Sequence, residues 1–354
     1  MTVKKIIALI ADWLSYLCIW KIKIDYSKAR ETLSSFSSKP LGSCCAENKQ
    51  NIKCDLQVVI PACNAERYID QCLRSVEKLL DCNYKILIQV IDDGSTDHTL
   101  EIIKGFAERV GQNVNIIQQE NKGLSEARNT ALKTIRGKFV MFLDSDDYLP
   151  EGFDINPLID KAEDVDILQG DWLTIDKENQ ILRRKTTDQF SGYAWGKLYN
   201  HCVFKNFKFP EGYWFEDSPI KFIVGGMGLK IEKLNEVVYC YRINPNGITA
   251  KALNDPKTVD TYWITELCLE EYPSFGIKYD QRALDCLLTQ SVINQIRSRR
   301  LPRKIRKAIF SLTIELIEKY FKGQASTKYY RIERAIRKRE FMKFELLSIA
   351  DWCR

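Results

Sequence analysis

Residues 137–151 read Gly-Lys-Phe-Val-Met-Phe-Leu-Asp-Ser-Asp-Asp-Tyr-Leu-Pro-Glu. Phe139–Leu143 is an unbroken apolar run of strand length, the pattern of a parallel strand covered on both faces. It stops abruptly at Asp144, Ser145, Asp146 and Asp147. Carboxylates crowded at the end of a buried strand repel one another and lose hydration unless a cation or several donors sit among them. Asp144 and Asp146 are two apart, so an extended chain projects both to one side. Two hard oxygen ligands with no His or Cys beside them suit Mg²⁺ or Mn²⁺ rather than zinc. The competing reading is an acidic turn that caps the next helix.

Upstream the pattern is regular. Leu56–Ile60 reads as a strand ending at Pro61, followed by a helix with apolar Ile69, Cys72, Leu73, Val76, Leu79 and Leu80 at a 3.6-residue period. Ile86–Ile91 is a second strand, and Asp92-Asp93-Gly94-Ser95-Thr96-Asp97 follows it. Ser95 or Asp97 can cap a helix that buries Leu100, Ile103, Phe106 and Ala107. Val114–Ile117 is a third strand, and a helix with Ala127 and Ala131 leads back to Phe139. Strands alternating with helices imply a parallel, three-layered α/β sheet. Such sheets bind ligands beyond the carboxyl ends of their strands, where this sequence places Asn64 and Glu66, Asp92 and Asp93, and Asp144–Asp147.

The 354 residues suffice for one large domain and a smaller one. Twelve scattered cysteines without a C-x-x-C pair, and only two histidines, argue against a disulfide framework or a zinc site and for reduced cytosolic thiols. The net charge of +6 is unevenly spread: residues 297–343 carry sixteen Lys/Arg against four Glu, a local +12 that leaves −6 elsewhere. Residues 6–20 are mostly apolar but broken by Asp12 and Ser15 and flanked by Lys4, Lys5, Lys21 and Lys23. Fifteen helical residues span roughly 22 Å, short of a hydrocarbon core of roughly 30 Å, so the segment is expected to lie on the body or at a membrane surface. No small-residue cleavage site follows it, and Leu41-Gly42-Ser43-Cys44, a faint lipoprotein-type box, comes too late to adjoin it. Residues 33–54 look like a linker, and 255–354 like helices, with Ile305, Ile309, Leu312, Leu316 and Tyr320 on one face.

Several nucleotide sites fail on their motifs. The first strand-to-helix turn, Pro61–Glu66, has no glycine, which disfavours a dinucleotide fold. Gly192–Lys197 is one residue short of a phosphate loop, and Tyr148 stands where a D-x-D-x-[T/V] phosphatase needs Thr or Val. Four segments together resemble the family 2 glycosyltransferases of GT-A fold. They are Val58–Glu66, Val90–Asp97, Asn121-Lys122-Gly123 through Ala127-Arg128-Asn129, and Phe142–Asp147 with its D-x-D motif. Cys63 departs from the pattern, because the family usually has Tyr there.

The resemblance implies a nucleotide-sugar-binding, parallel-type α/β sheet flanked by helices, with a helical C-terminal region. Its boundaries would be a 1–54 N-terminal segment, a 55–252 catalytic domain and a 253–354 basic helical region. Pro61, Asn64, Glu66, Asp92 or Asp93, Gly123, Arg128 and Ser145 would hold the donor. Asp144 would touch the ribose, Asp146 would ligate Mn²⁺ or Mg²⁺ at the diphosphate, and the strand Tyr239–Arg242 with the loop Asn244-Pro245-Asn246-Gly247 would close over it, Arg242 neutralising the diphosphate or else pairing with a structural carboxylate. Trp195, Lys197, Tyr213 and Trp214 resemble acceptor-side segments, and Glu216-Asp217 the acidic base motif, with Asp217 the first candidate. The implied activity is inverting, metal-dependent sugar transfer from a nucleotide-sugar, UDP-linked by the family's habit. The acceptor would be a glycan or lipid-linked glycan in surface polysaccharide assembly. The basic C-terminal faces then fit an anionic membrane surface, with the protein cytoplasmic and peripheral, and no nucleic-acid motif accompanies them. The rival readings are a nucleotidyltransferase on a similar sheet and a catalytically inert sugar-binding scaffold.

Overall fold

The computed structural model describes residues 2–186, 189–245, 247, 252 and 255–353. Two compact units emerge: Leu41–Pro245, and a second one assembled from the segments on either side of it. The first helices are α1 (Val3–Leu17) and α2 (Tyr26–Phe36). Asp25 caps α2 by accepting the Lys28 N–H at 3.0 Å.

The Leu41–Pro245 unit then runs β1 (Lys49–Ala62), α3 (Ile69–Glu77), β2 (Ile86–Asp93), α4 (Thr99–Val110), β3 (Val114–Gln119), α5 (Leu124–Leu132) and β4 (Thr134–Phe142). It continues through α6 (Asn156–Ala162), β5 (Ile167–Ile175), β6 (Ile181–Lys185), β7 (Lys197–Asn200), α7 (Ser218–Phe222) and β8 (Ile231–Arg242). The eight strands form one sheet in the order β3-β2-β1-β4-β7-β5-β6, with β8 paired to β5. The first four are parallel, as the βα alternation implies. Polarity reverses at β7, which pairs antiparallel with β4 and β5, so the whole sheet is mixed. β7 has four residues, too few for any periodicity to announce it.

Alternation along the strands sorts the two faces. Leu56, Val58 and Ile60, with Ile88, Val90, Phe139 and Met141, join Ile69, Cys72, Leu73 and Val76 of α3 and Ile103 and Phe106 of α4 in one core. On β1 the intervening Gln57 turns toward α5, where its amide donates to Gln89 at 2.6 Å and accepts the Arg136 N–H at 2.7 Å, so this buried group is satisfied. Gly137 admits no side chain: a Cβ would sit 2.4 Å from the Phe139 carbonyl oxygen and 2.5 Å from the Gln57 nitrogen.

Residues 33–54 are not a linker. α2 runs to Phe36 and β1 begins at Lys49. Between them the backbone of Ala46 and Asn48 donates to Asn206 and Lys205, and Cys44 accepts from Lys208. Cys44, in the lipoprotein-like box, is fully buried.

The second unit adds α8 (Asp260–Glu271), α9 (Gln281–Arg297), α10 (Arg303–Tyr320), α11 (Tyr330–Arg337) and α12 (Phe341–Cys353). Glu266 on α8, itself buried, receives Arg30 of α2 at 2.8 Å and Lys39 at 2.8 Å, and Arg30 also reaches Glu315 of α10 at 2.9 Å. Ile305, Ile309, Leu312 and Leu316 are buried along α10. Among the described residues no helix is long and apolar enough to cross a membrane. The loop expected at 244–247 and the boundary expected at 252/253 lie partly outside the described residues: Asn246 and Leu253 are not described.

Candidate active site

Parallel register brings the strand ends together. Pro61 pairs with Ile91, Ala62 with Asp92, and Asp92 in turn with Gln118, while Val59 faces Phe142. Asp92 and Asp93 are both buried but differ in use. Asp93 accepts from Gln119 Nε2 and from the Lys122 and Gly123 N–H groups, all at 2.8 Å. It therefore pins the loop that opens α5, where Gly123 adopts the left-handed φ of +88°. Asp92 Oδ1 is buried with no hydrogen-bond partner. A buried, unpaired carboxylate oxygen is costly, and it is the arrangement a ligand N–H would satisfy.

Asn64 and Glu66 brace the neighbouring loop. Asn64 Oδ1 accepts the Thr96 N–H at 2.8 Å, and Glu66 Oε2 accepts the His98 N–H at 3.1 Å. Both remain exposed at the mouth of the site.

The D-x-D turn is built from β8 as much as from β4. Asp147 is buried and accepts from Tyr239 Oη at 2.7 Å and from the Arg242 N–H at 2.6 Å. Burial above all, then the charges of Asp146 and Asp144, push its carboxyl well above the usual range. The Asp144 N–H donates to Tyr239 Oη at 3.1 Å. Asp146 accepts from Asn244 Nδ2 at 2.9 Å. Its pKa is also raised, by burial first, and Asp144 adds like-charge repulsion. Ser145 is half-buried between them.

Arg242, the residue expected to neutralise a diphosphate, is held by several partners. Its guanidinium is buried and donates to the Asp146 carbonyl at 2.8 Å, Asn179 Oδ1 at 2.7 Å and Gln71 Oε1 at 2.8 Å. It lies over the Tyr68 ring at 4.7 Å. These contacts brace the turn that carries Asp146.

Arg128 is likewise internal. It donates to Asp144 Oδ1 at 2.7 Å and to Glu216 Oε1 at 2.6 Å, with its guanidinium on the Phe209 ring at 5.2 Å. It thus ties the turn that carries Asp144 to Glu216. Glu216 is buried in that pair, whereas Asp217 is half-buried at the head of α7. Phe215, just before them, holds a left-handed φ of +62°, strained for a bulky residue and the kind of outlier that aims functional side chains.

Of the residues expected on the acceptor side, Trp195 is buried in a stack: its ring is 4.4 Å from Tyr193 and 4.4 Å from Tyr239, nearly parallel to both. Lys197 is fully buried and donates to Ser191 Oγ at 2.7 Å and the Tyr193 carbonyl at 2.6 Å. Burial pushes its pKa down to about 7, against the opposing charge of Asp217. Tyr213 is buried and Trp214 half-buried.

Residues 57–227 match the model of "Glycosyl transferase family 2". This part of the chain belongs to glycosyltransferase family 2. The glycosyltransferase GlyA of Streptococcus pneumoniae is 31% identical over 222 residues, 55% of this chain and 31% of that protein. The poly(ribitol-phosphate) β-N-acetylglucosaminyltransferase TarS of Staphylococcus aureus is 37% identical over 92 residues, 26% of this chain and 16% of that protein. The chain therefore spans less than a third of the length of these two relatives. The mannosyltransferase PcManGT of Pyrobaculum calidifontis, solved with GDP-Man and Mn²⁺, superposes with a TM-score of 0.51 at 14% identity, covering 99% of this chain and 98% of that one. The likeness shows a shared fold, a GT-A-type α/β sheet flanked by helices with a helical C-terminal region.

The family 2 domain fits a divalent cation by its donor set. Asp144 and Asp146 stand two apart on the turn, and the like charge that raises Asp146 is what a cation would relieve. Among the described residues no third His, Cys, Asp or Glu completes a metal cluster. An ion here would take its remaining ligands from phosphate and water, the habit of Mg²⁺ and Mn²⁺. The segments holding Tyr239, Asn244 and Phe215 are legible in the sequence as neighbours of the site, but the hydrogen bonds of the first two and the left-handed backbone of the third are not. Tyr239 lies 92 residues from the Asp147 carboxylate and Asn244 98 residues from that of Asp146, so no local pattern links them.

Proposed function

We propose that the chain is an inverting glycosyltransferase that moves a sugar from a UDP-linked donor to a glycan or lipid-linked glycan during surface polymer assembly. The observation that carries it is the Asp144–Arg128–Glu216 bridge, which ties the donor-side strand end and the acceptor-side segment into one rigid network. In this reading Asp92 Oδ1 accepts the N–H of a uracil edge, beside Pro61. Asp144 and Asp146 hold a Mn²⁺ or Mg²⁺ ion, which when bound stabilises the negative charge that develops on the departing diphosphate. Asp217 takes the proton of the acceptor hydroxyl as its oxygen bonds to the anomeric carbon and the bond to the diphosphate breaks. Arg128 and Arg242 position these carboxylates from within. The half-buried Trp214 and the exposed Tyr193 are the aromatics we assign to sugar faces.

The likeness to the glycosyltransferases GlyA and TarS supports transfer chemistry, and the poly(ribitol-phosphate) on which TarS acts supports a polymer acceptor. The basic C-terminal helices fit an anionic lipid surface at which a lipid-linked acceptor would reside. Incubation of the protein with a panel of nucleotide-sugars, with Mn²⁺, tests the reading. UDP release from one UDP-sugar is the expected result. Pyrophosphate release would instead identify a nucleotidyltransferase, and binding without release an inert scaffold.

A further inference from the structure

α1 is seated in an unusual way. Its buried positions are Ala8, Ala11 and Ser15, a narrow stripe of small residues, and it packs on α12. Its large apolar residues face outward: Ile6, Ile7, Leu9, Ile10, Trp13 at 65% exposure and Leu17 at 61%. Ile19 and Trp20, at 77%, continue the exposed run. At about 100° per residue these side chains occupy roughly half of the helix circumference, opposite the buried stripe.

The polar residues that interrupt this segment do not interrupt that face. Asp12 turns inward to Arg331 of α11 at 2.5 Å, and Ser15 Oγ donates to the Asp12 carbonyl at 2.6 Å. By the same geometry Lys4 falls in line with the buried stripe and Lys5 at the edge of the seated side, neither in the apolar half. The outer half therefore carries no charge, while Lys4, Lys5, Lys21 and Lys23 stand exposed at the two ends of the segment.

The basic region 297–343 is a weaker lipid contact than its composition suggests, because Arg306, Arg331, Arg337 and Lys343 pair with Glu345, Asp12, Glu333 and Glu340. A second copy of the chain fits the α1 face poorly. Two-fold pairing would set two lysine-flanked helices together, and α1 offers no exposed acid to answer them.

We propose that α1 lies flat in the interfacial layer of an anionic bilayer, with Ile6, Ile10, Trp13 and Leu17 among the acyl chains and Lys5, Lys21 and Lys23 at lipid phosphates. Trp13, Tyr16 and Trp20 are the interfacial aromatics such a helix uses. This extends the lipid-facing part of the reading above, and its test is separable. UDP release in vesicle-free solution reports on transfer, and vesicle sedimentation reports on α1.

The full chain is sedimented with phosphatidylglycerol-containing vesicles and compared with an Ile10→Asp/Trp13→Asp variant. Both positions are exposed, so the variant is expected to fold and to keep UDP binding, while its partition falls about a hundredfold. In the unsubstituted chain, lipids brominated in their acyl chains should quench tryptophan fluorescence, and Trp13→Phe/Trp20→Phe should abolish that quenching. Undiminished sedimentation of the Asp variant, or absent quenching, overturns the proposal. So does light scattering that finds a dimer in solution which the same substitutions dissolve.

Discussion

Asp217 is the residue on which transfer chemistry turns. Glu216, its neighbour, is buried in its pair with Arg128, whereas Asp217 is half-buried at the head of α7 and is the carboxylate we assign to the acceptor hydroxyl. Asp217→Asn keeps the shape and loses the proton acceptor, so turnover should fall about 10²- to 10⁴-fold with donor affinity nearly unchanged. Wild-type turnover by this variant on its true acceptor would remove Asp217 from the mechanism. Lys197 offers a pH signature. Its folded pKa of about 7 lies below the ordinary 10.5, so the unfolded chain holds the proton more tightly. The penalty is full below about pH 7, shrinks as pH rises, and vanishes above about 10.5, so stability rises with pH across that window. The urea midpoint of wild type relative to Lys197→Met should therefore increase between about pH 7 and 10, and parallel curves would contradict the burial argument.

At the scale of elements, the D-x-D turn is a joint product of β4 and β8. Asp146→Ala should remove the strengthening of UDP binding by Mn²⁺ or Mg²⁺, measured by calorimetry. Affinity that is equal with and without metal in the unsubstituted protein would defeat the assignment. Tyr239→Phe should destabilise the protein by about 1–3 kcal/mol in denaturant titration, because it strips a donor from buried Asp147 and an acceptor from the Asp144 N–H. These two cases mark what the sequence could reveal. β1, β2 and β4 announce themselves as apolar runs that end in acids, and the parallel register then puts Asp92 and Asp144 on one edge without further information. The supports were not legible. Tyr239 and Asn244 act across long sequence separation, β7 is too short for periodicity, and the segment 44–48 pairs with 205–208 through backbone groups that any residue carries. Arg128 and Arg242 were legible as charges near a site, but burial sent both inward, and only packing records burial.

For the molecule as a whole, the division into two units predicts divided unfolding. Scanning calorimetry should resolve a transition of the Leu41–Pro245 unit that UDP with Mn²⁺ raises by roughly 5–10 °C at about a hundredfold excess over Kd. A single transition, or equal shifts of both, would mean that the units unfold as one.

The path of the chain has a consequence for synthesis. Arg30 on α2 meets Glu266 and Glu315, residues 236 and 285 positions further along. On the ribosome, α1 and α2 emerge long before α8 and α10 exist, so the helical unit must wait. The sheet, whose first four strands lie within 94 residues of one another, can close meanwhile. During that interval an oily helix with basic flanks travels unseated, available to chaperones or to a lipid surface before its own partners have been made.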